Sequence, residues 1–262
     1  MQRTWPMLAI GVCANVLMSL SALAAPEVTL TRLECGTNAP PTDVGLRSAS
    51  VKVHFVFSCY LVKHGDDYMV WDAGNSMSAG AVAPKTSLVD LLAQLKVMPE
   101  QIKYIGISHY HGDHIGQVAP FPQSTLLIGK GDWDVLTDPK MRAVGNPAPF
   151  ANWISGDGKV EPVPADKDVF GDGTVVMLAT PGHHSLLVKL KDMGPVLLSG
   201  DLAHFHENYE GKGVPSFNTD RAATLASIDR VKKIAASRKA TVIVQHDARG
   251  LHKLPAFPAS AK

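Results

Sequence analysis

Residues 108–114 read Ser-His-Tyr-His-Gly-Asp-His. His109 and His111 are two apart, so an extended chain points both imidazoles to one side. Asp113 and His114 follow where a turn or helix start swings them to a second position. Imidazole nitrogens and carboxylate oxygens are ligand atoms for zinc and related divalent ions, and these four residues form a metal-ligand set. A plain polar turn at a strand end would not call for three histidines and an aspartate at this spacing.

Three further segments have the same character. Thr180-Pro-Gly-His183, Ser199-Gly-Asp201 and Gln245-His246-Asp247 each set a ligand-type residue just past an apolar stretch. Taken singly, each reads more simply as an ordinary loop residue. Together with residues 109–114 they complete a two-metal inventory.

Such residues meet only if their strands end along one edge of a sheet, where the sites of α/β proteins lie. Hydrophobic patterning predicts strands at 28–34, 53–63, 68–71, 104–107, 125–128, 175–179, 185–191, 196–198 and 242–244. It predicts helices at 88–95, capped by Ser87, at 132–136 and at 222–237. The last has Leu225, Ile228, Val231 and Ala235 on one face, with Thr219 or Asp220 as its cap. Residues 36–50 and 138–160 read as loops. Consecutive strands with helices between them imply mixed sheets with helices on the outer faces, an α/β architecture.

The 262 residues are 45% hydrophobic and 19% charged, which excludes disorder, collagen and coiled coil. Lys and Arg number 25 against 24 Asp and Glu, so there is no basic footprint for nucleic acid or for a polybasic membrane contact. Residues 1–24 read as a signal peptide: Arg3, an apolar run over 7–20, and the small-x-small site Ala22-Leu23-Ala24. The run is shorter than the ~20 residues of a membrane span. The reading is therefore a leader at 1–24 and one domain at 25–262, periplasmic or secreted, with no stable membrane anchor once the leader is cut. Export makes disulfides permissible. Cys35 and Cys59 lie in or beside predicted strands. They can bridge if those strands are neighbours, or stay as two buried thiols.

These motifs resemble a metallo-β-lactamase-fold hydrolase, and the likeness runs from Glu27 to about His246. It implies an αββα sandwich with a dinuclear zinc site at the sheet edge. His109, His111 and His183 would hold one ion, and Asp113, His114 and His246 the other, with Asp201 between them. Asp72, in Trp71-Asp-Ala-Gly74, matches an aspartate that orients a ligand histidine, although a strand-end turn residue reads equally well. Of the remaining histidines, His54, His64 and His252 read as surface or strand residues, and His184 as a packing residue.

The bridging Asp201 argues against true β-lactamases of this motif, which lack it. Glyoxalase II keeps it but works on an intracellular thioester, and RNA-processing relatives would want a basic surface. The chain is most similar to the N-acyl-homoserine lactonase family, through Cys59-Tyr-Leu-Val62, residues 71–74, 108–116, 180–185 and 200–220, and His246-Asp247. That resemblance implies zinc-dependent opening of a signalling lactone, a small-molecule substrate, with no nucleic-acid partner. Secreted phosphotriesterases and β-lactamase-like hydrolases of the same fold are the alternative, and a non-catalytic zinc binder is a third. Asp113 would carry a proton to the leaving oxygen. Where lactonases place a tyrosine three residues after the bridging aspartate, this chain has His204, which can donate to the substrate carbonyl or have no chemical role. Gly112 stands where some lactonases have a bulky residue. Phe205, Tyr209 and Phe217 are the expected apolar pocket wall.

Overall fold

The computed structural model describes residues 1, 25–37, 54–141, 144–211, 213–215, 218 and 220–262. The expected leader, Phe217 and Thr219 lie outside them.

Two β-sheets face one another. The first has six strands in sequence order: β1 (Val28–Glu34), β2 (Ser58–His64), β3 (Asp67–Trp71), β4 (Ile102–Ile107), β5 (Thr125–Gly129) and β6 (Val160–Val163). The second has five, ordered β11 (Thr241–Ile243), β10 (Gly194–Leu198), β9 (His183–Leu190), β8 (Val175–Thr180) and β7 (Lys167–Asp168). Both are mixed, and helices cover the outer faces.

Period-two alternation explains the layering. On β2, Tyr60 and Val62 enter the core between the sheets, while Cys59 and Leu61 face outward. On β9 and β10, Leu186, Val188, Val196 and Leu198 point inward, and Leu187 and Leu197 point out. The outer face of the first sheet packs against α1 (Leu88–Gln94), through Leu88, Leu91 and Leu92, and against α4 (Ala151–Ile154), through Trp153. The outer face of the second packs against α6 (Arg221–Arg238), through Ile228, Val231 and Ala235. Ser87 and Asp220 cap α1 and α6 by accepting from the backbone N–H of Asp90 and Ala223, as their side-chain chemistry predicts. Leu225 is only half-buried.

Several sequence expectations need correction. The second strand starts at Ser58 rather than at residue 53. The stretch 138–160, read as loop, contains α4 and runs into β6. That strand carries Pro162 and no alternation, and it sits at the sheet edge, where a missing N–H is tolerated. The segment after Asp201, for which patterning predicts no element before residue 222, contains α5 (His206–Gly211).

Strand direction positions the site. β3, β4 and β5 run parallel, so their C-terminal ends, at Trp71, Ile107 and Gly129, share one edge. β10 and β11 also run parallel, which brings residues 199–201 and 244–246 to one edge of the second sheet. β8 and β9 form a hairpin whose terminal pair is Thr180 and His183. The two edges are tied together: His184 N–H donates to the Ser108 carbonyl at 2.8 Å, and Val56 N–H to the His246 carbonyl at 3.2 Å.

Candidate metal centre

Asp72 ends β3 in a left-handed conformation, with φ of 59°. An aspartate tolerates that region better than most residues. Its carboxylate accepts from the Ser108 backbone N–H at 2.8 Å and lies 2.9 Å from His114 Nδ1. The carboxylate can only accept, so His114 Nδ1 carries a proton, and Nε2 is the ring atom that faces inward. His246 is held the same way: its Nδ1 donates to the Val56 carbonyl at 2.8 Å. Phe55 stacks on its ring at 3.8 Å. His109 Nδ1 is 3.2 Å from Ser108 Oγ.

The inward atoms form two close sets that share one carboxylate. Asp113, His114, Asp201 and His246 make one, and His109, His111 and Asp201 the other, with ligand atoms within 4.8 Å of one another in each. Asp201 Oδ1 lies 2.8 Å from His246 Nε2 and 3.2 Å from His114 Nε2, and its Oδ2 lies 3.6 Å from His109 Nε2. His183 stands beside these sets, its ring 4.8 Å from that of His109. His204 Nε2 is 3.3 Å from Asp201 Oδ2, and its ring stacks toward His246 at 5.5 Å.

These residues fit a divalent cation. His109 Nε2 and His183 Nδ1 are buried and have no hydrogen-bond partner among the described residues. With Nδ1–H of His246 committed to a carbonyl, its Nε2 lone pair meets a carboxylate oxygen at 2.8 Å. Two acceptors face each other there unless a proton or a metal ion lies between them. The electrostatics agree. Burial pushes His109 well below its ordinary value, helped by the neighbouring His114. Burial also takes His183 down to about 4. For His114 burial acts downward, but Asp201, Asp113 and Asp72 outweigh it and hold it well above the usual histidine range. For Asp201 burial acts upward and the surrounding imidazoles, His246 foremost, overcome it. A buried carboxylate ringed by imidazoles is a cation-binding arrangement.

A groove of about 640 Å³ opens beside the centre. Phe57, Val82, Ala119 and Pro149 supply apolar wall, and Gly112 and Asp113 belong to it. Phe205 and Tyr209, expected to line a pocket, do not: Phe205 is fully buried with its ring edge-on to Phe55, and Tyr209 packs against α6. Tyr209 lies on α5, which turns it into the core, and Phe205 is buried just before that helix begins. His64 pairs with Asp172 at 2.8 Å and takes no part in the centre. Sequence reasoning missed Phe55, whose only signal was an aromatic residue near a strand start. It also missed Asp132, an acid in the first turn of α3 (Lys130–Thr137) that reaches back to the ligand loop.

The family model of the metallo-beta-lactamase superfamily matches residues 56–246. The chain belongs to that superfamily. It is a hydrolase of the superfamily, and its two-sheet sandwich is the fold. A curated relative named N-acyl homoserine lactonase AttM, from Rhizobium radiobacter, is 28% identical over 215 residues, covering 72% of this chain and 80% of the relative. An N-acyl homoserine lactonase from a Bacillus species is also 28% identical, over 217 residues, covering 76% and 84%. Among solved structures, an N-acyl homoserine lactone hydrolase with N-hexanoyl-L-homoserine at its catalytic metal centre superposes with a TM-score of 0.74 at 23% identity. That match covers 90% of this chain and 99% of the other. AidC, described as a dizinc quorum-quenching lactonase, superposes at 0.68 with 18% identity, covering 91% of each chain. These superpositions speak for the shared fold.

Proposed function

We propose that this protein is a zinc-dependent lactonase that opens the ring of N-acyl-homoserine lactones outside the cytoplasm, silencing a diffusible signal. The observation that carries the reading is Asp201, one carboxylate shared by two sets of imidazole ligands. Names of relatives support the substrate class. His109, His111 and His183 would hold one ion, Asp113, His114 and His246 the other, and Asp201 would serve both. Nitrogen and oxygen donors without thiolate suit zinc.

A bound pair of such ions supplies Lewis acidity toward a carbonyl and lowers the pKa of water toward neutrality. The chain's own residues do the rest. Asp72 and the Val56 carbonyl fix the tautomers and ring orientations of His114 and His246. His204 donates a hydrogen bond to the charge that develops on the lactone carbonyl oxygen. Asp113, about a quarter exposed and part of the groove wall, takes the proton that the water loses as its oxygen bonds the acyl carbon, and hands it to the ring oxygen as the acyl carbon–ring oxygen bond breaks. The products balance as lactone plus water giving the N-acyl-homoserine. The groove takes the acyl chain on its apolar wall.

Export is supported by the leader read in residues 1–24 and by the Cys35–Cys59 bridge, because disulfides persist in oxidising compartments. The test is a hydrolysis panel on the zinc-loaded mature chain. It compares an N-acyl-homoserine lactone, a phosphotriester and a β-lactam, with metal content measured in parallel. Fast turnover of the lactone and about two ions per chain are expected. Turnover of either rival substrate without the lactone would sink the assignment.

A further inference from the structure

The ligand loop between β4 and α2 (Gly112–Ile115) is anchored at both of its ends. Ser108 N–H goes to Asp72 Oδ1, and the Ser108 carbonyl accepts from His184 N–H at 2.8 Å. His114 N–H closes the turn onto the His111 carbonyl at 3.0 Å. The peptide between His109 and His111 has one side-chain anchor among the described residues: Tyr110 N–H donates to Asp132 Oδ1 at 3.2 Å.

Asp132 is built in from the neighbouring strand. It sits in the first turn of α3, directly after Gly129 ends β5, and is only 7% exposed. Gly129 makes room for it. A Cβ there would stand 2.6 Å from Asp132 Oδ2 and 2.7 Å from Cε1 of His184. The carboxyl, the His184 ring and the glycine backbone thus fill one small space behind the ligand loop. Both ring nitrogens of His184 are buried, without a hydrogen bond among the described residues. Burying a carboxyl is costly, and burial pushes Asp132 up to about 7. A residue kept at such cost, with one backbone hydrogen bond into the loop that carries two ligand histidines, has a positioning role to account for it.

We propose that Asp132 is a positioning residue: by holding the Tyr110 peptide it sets the spacing and direction of the His109 and His111 imidazoles and so the affinity of the ion they hold. This rests on the metal-dependent reading of the site. In either protonation state the carboxyl keeps an oxygen that accepts from Tyr110 N–H, so the role needs an acceptor rather than a charge.

The test compares wild type with Asp132→Asn, Asp132→Ala and Asp132→Ser. Each is loaded with zinc or cobalt and titrated with a chelator, with kcat and KM measured alongside. In Asp132→Ala the affinity for one of the two ions is expected to fall about 10- to 100-fold, as for other residues that orient metal ligands. The cobalt absorption band of that ion should change, while the other ion stays. Asp132→Asn, which keeps the acceptor, should restore both within about threefold. If Asp132→Ala does not fold, Asp132→Ser serves, because its shorter side chain cannot reach Tyr110. Unchanged affinity for both ions in Ala or Ser overturns the proposal, and so does a loss of equal size in Asn. A fall in Tm with both affinities intact also overturns it, leaving Asp132 a packing residue. If wild type itself binds no divalent ion, the metal-dependent reading fails first and separately.

Discussion

The carboxylate of Asp72 lies 2.9 Å from Nδ1 of His114, and both side chains are completely excluded from solvent. The pair joins the end of β3 to α2, and Asp72 holds it from a left-handed backbone position. Removing the carboxylate leaves the buried imidazole N–H to the weaker hydroxyl acceptor Ser108 Oγ, 3.1 Å away, and loosens the ring. Asp72→Ala should lower metal affinity by about 10- to 100-fold, with turnover falling in step. Asp72→Asn tolerates the backbone and keeps an acceptor oxygen, so it should lose less. Chelator titration of the three proteins decides it. Equal affinities would mean that His114 is oriented by packing alone.

The fold was legible wherever hydrophobic period was clean. β1 and β4 lie where alternating or apolar runs put them, and α6 follows from its apolar face and cap. β6 was not, because Pro162 and an edge position remove the signal that patterning uses. Within the site, His109 through His114 announced themselves by spacing, and Asp201 and His246 by following apolar strands. Asp132 and Phe55 could not, because their roles depend on which strands become neighbours. Phe205 and Tyr209 misled for the opposite reason: aromatic residues near a site suggest a pocket, but both are packed into the core, Tyr209 on α5 and Phe205 just before it.

Cys35 and Cys59 are bridged across paired strands, 24 residues apart in sequence. The bridge lies against Gly74, where a Cβ would meet Cys35 Cβ at 2.3 Å and Cys59 Sγ at 3.1 Å. The Cys35 carbonyl also accepts from Asn75 N–H at 2.9 Å. The disulfide therefore braces the turn that carries Asp72. Closing a loop of this length restricts the unfolded chain by roughly 3 kcal/mol. The Cys35→Ser, Cys59→Ser variant should unfold at markedly lower urea than wild type. Adding reductant should bring wild type to the variant's midpoint, and coincident midpoints without reductant would remove the bridge from the account of stability.

His204 stands 3.3 Å from Asp201 and over His246, close to both ligand sets. If it donates to the developing oxyanion, His204→Ala should cut kcat by about 10²–10³-fold while KM and the two-ion content hold. His204→Tyr, with a hydroxyl donor in the same place, should recover part of the loss. A His204→Ala enzyme with wild-type kcat would reduce the residue to packing.

The buried pair behind the ligand loop gives a pH signature with two signs. Burial lifts Asp132 from 3.8 to about 7, so the fold accepts the protonated acid. Its cost is absent below pH ~4 and grows until the pH passes ~7. Burial lowers His184 from 6.5 to about 4, so the fold accepts the neutral ring. Its cost is absent above pH ~6.5 and grows as the pH falls to ~4. Asp132→Asn should thus gain stability relative to wild type as pH rises from 4 to 7, and His184→Gln as pH falls from 6.5 to 4. Chemical denaturation across that range measures both. Parallel curves for wild type and Asp132→Asn would show that the acid is not protonated in the fold.

Gly112 lines the groove beside Asp113, and a Cβ added there would meet nothing within 4 Å. Its φ lies outside the left-handed region, so larger residues are sterically open to it. Because the position is a groove wall and not a packing site, Gly112→Phe or Gly112→Trp should fold normally and project an aromatic ring into the 640 Å³ space. On the proposed reading the lactone ring binds at the metal centre, so a short acyl-homoserine lactone should still fit. A long acyl chain must lie along the groove and competes with the new ring. KM for a ten-carbon acyl lactone should rise about tenfold, the equivalent of ~1.4 kcal/mol of lost binding, with KM for a four-carbon chain little changed and kcat similar for both. An aromatic ring could instead offer the long chain a new apolar contact and lower its KM. That outcome would place the acyl chain across the residue 112 face, with the groove wider than the chain. Equal KM values for both substrates in both proteins would mean that the chain leaves the site by another route.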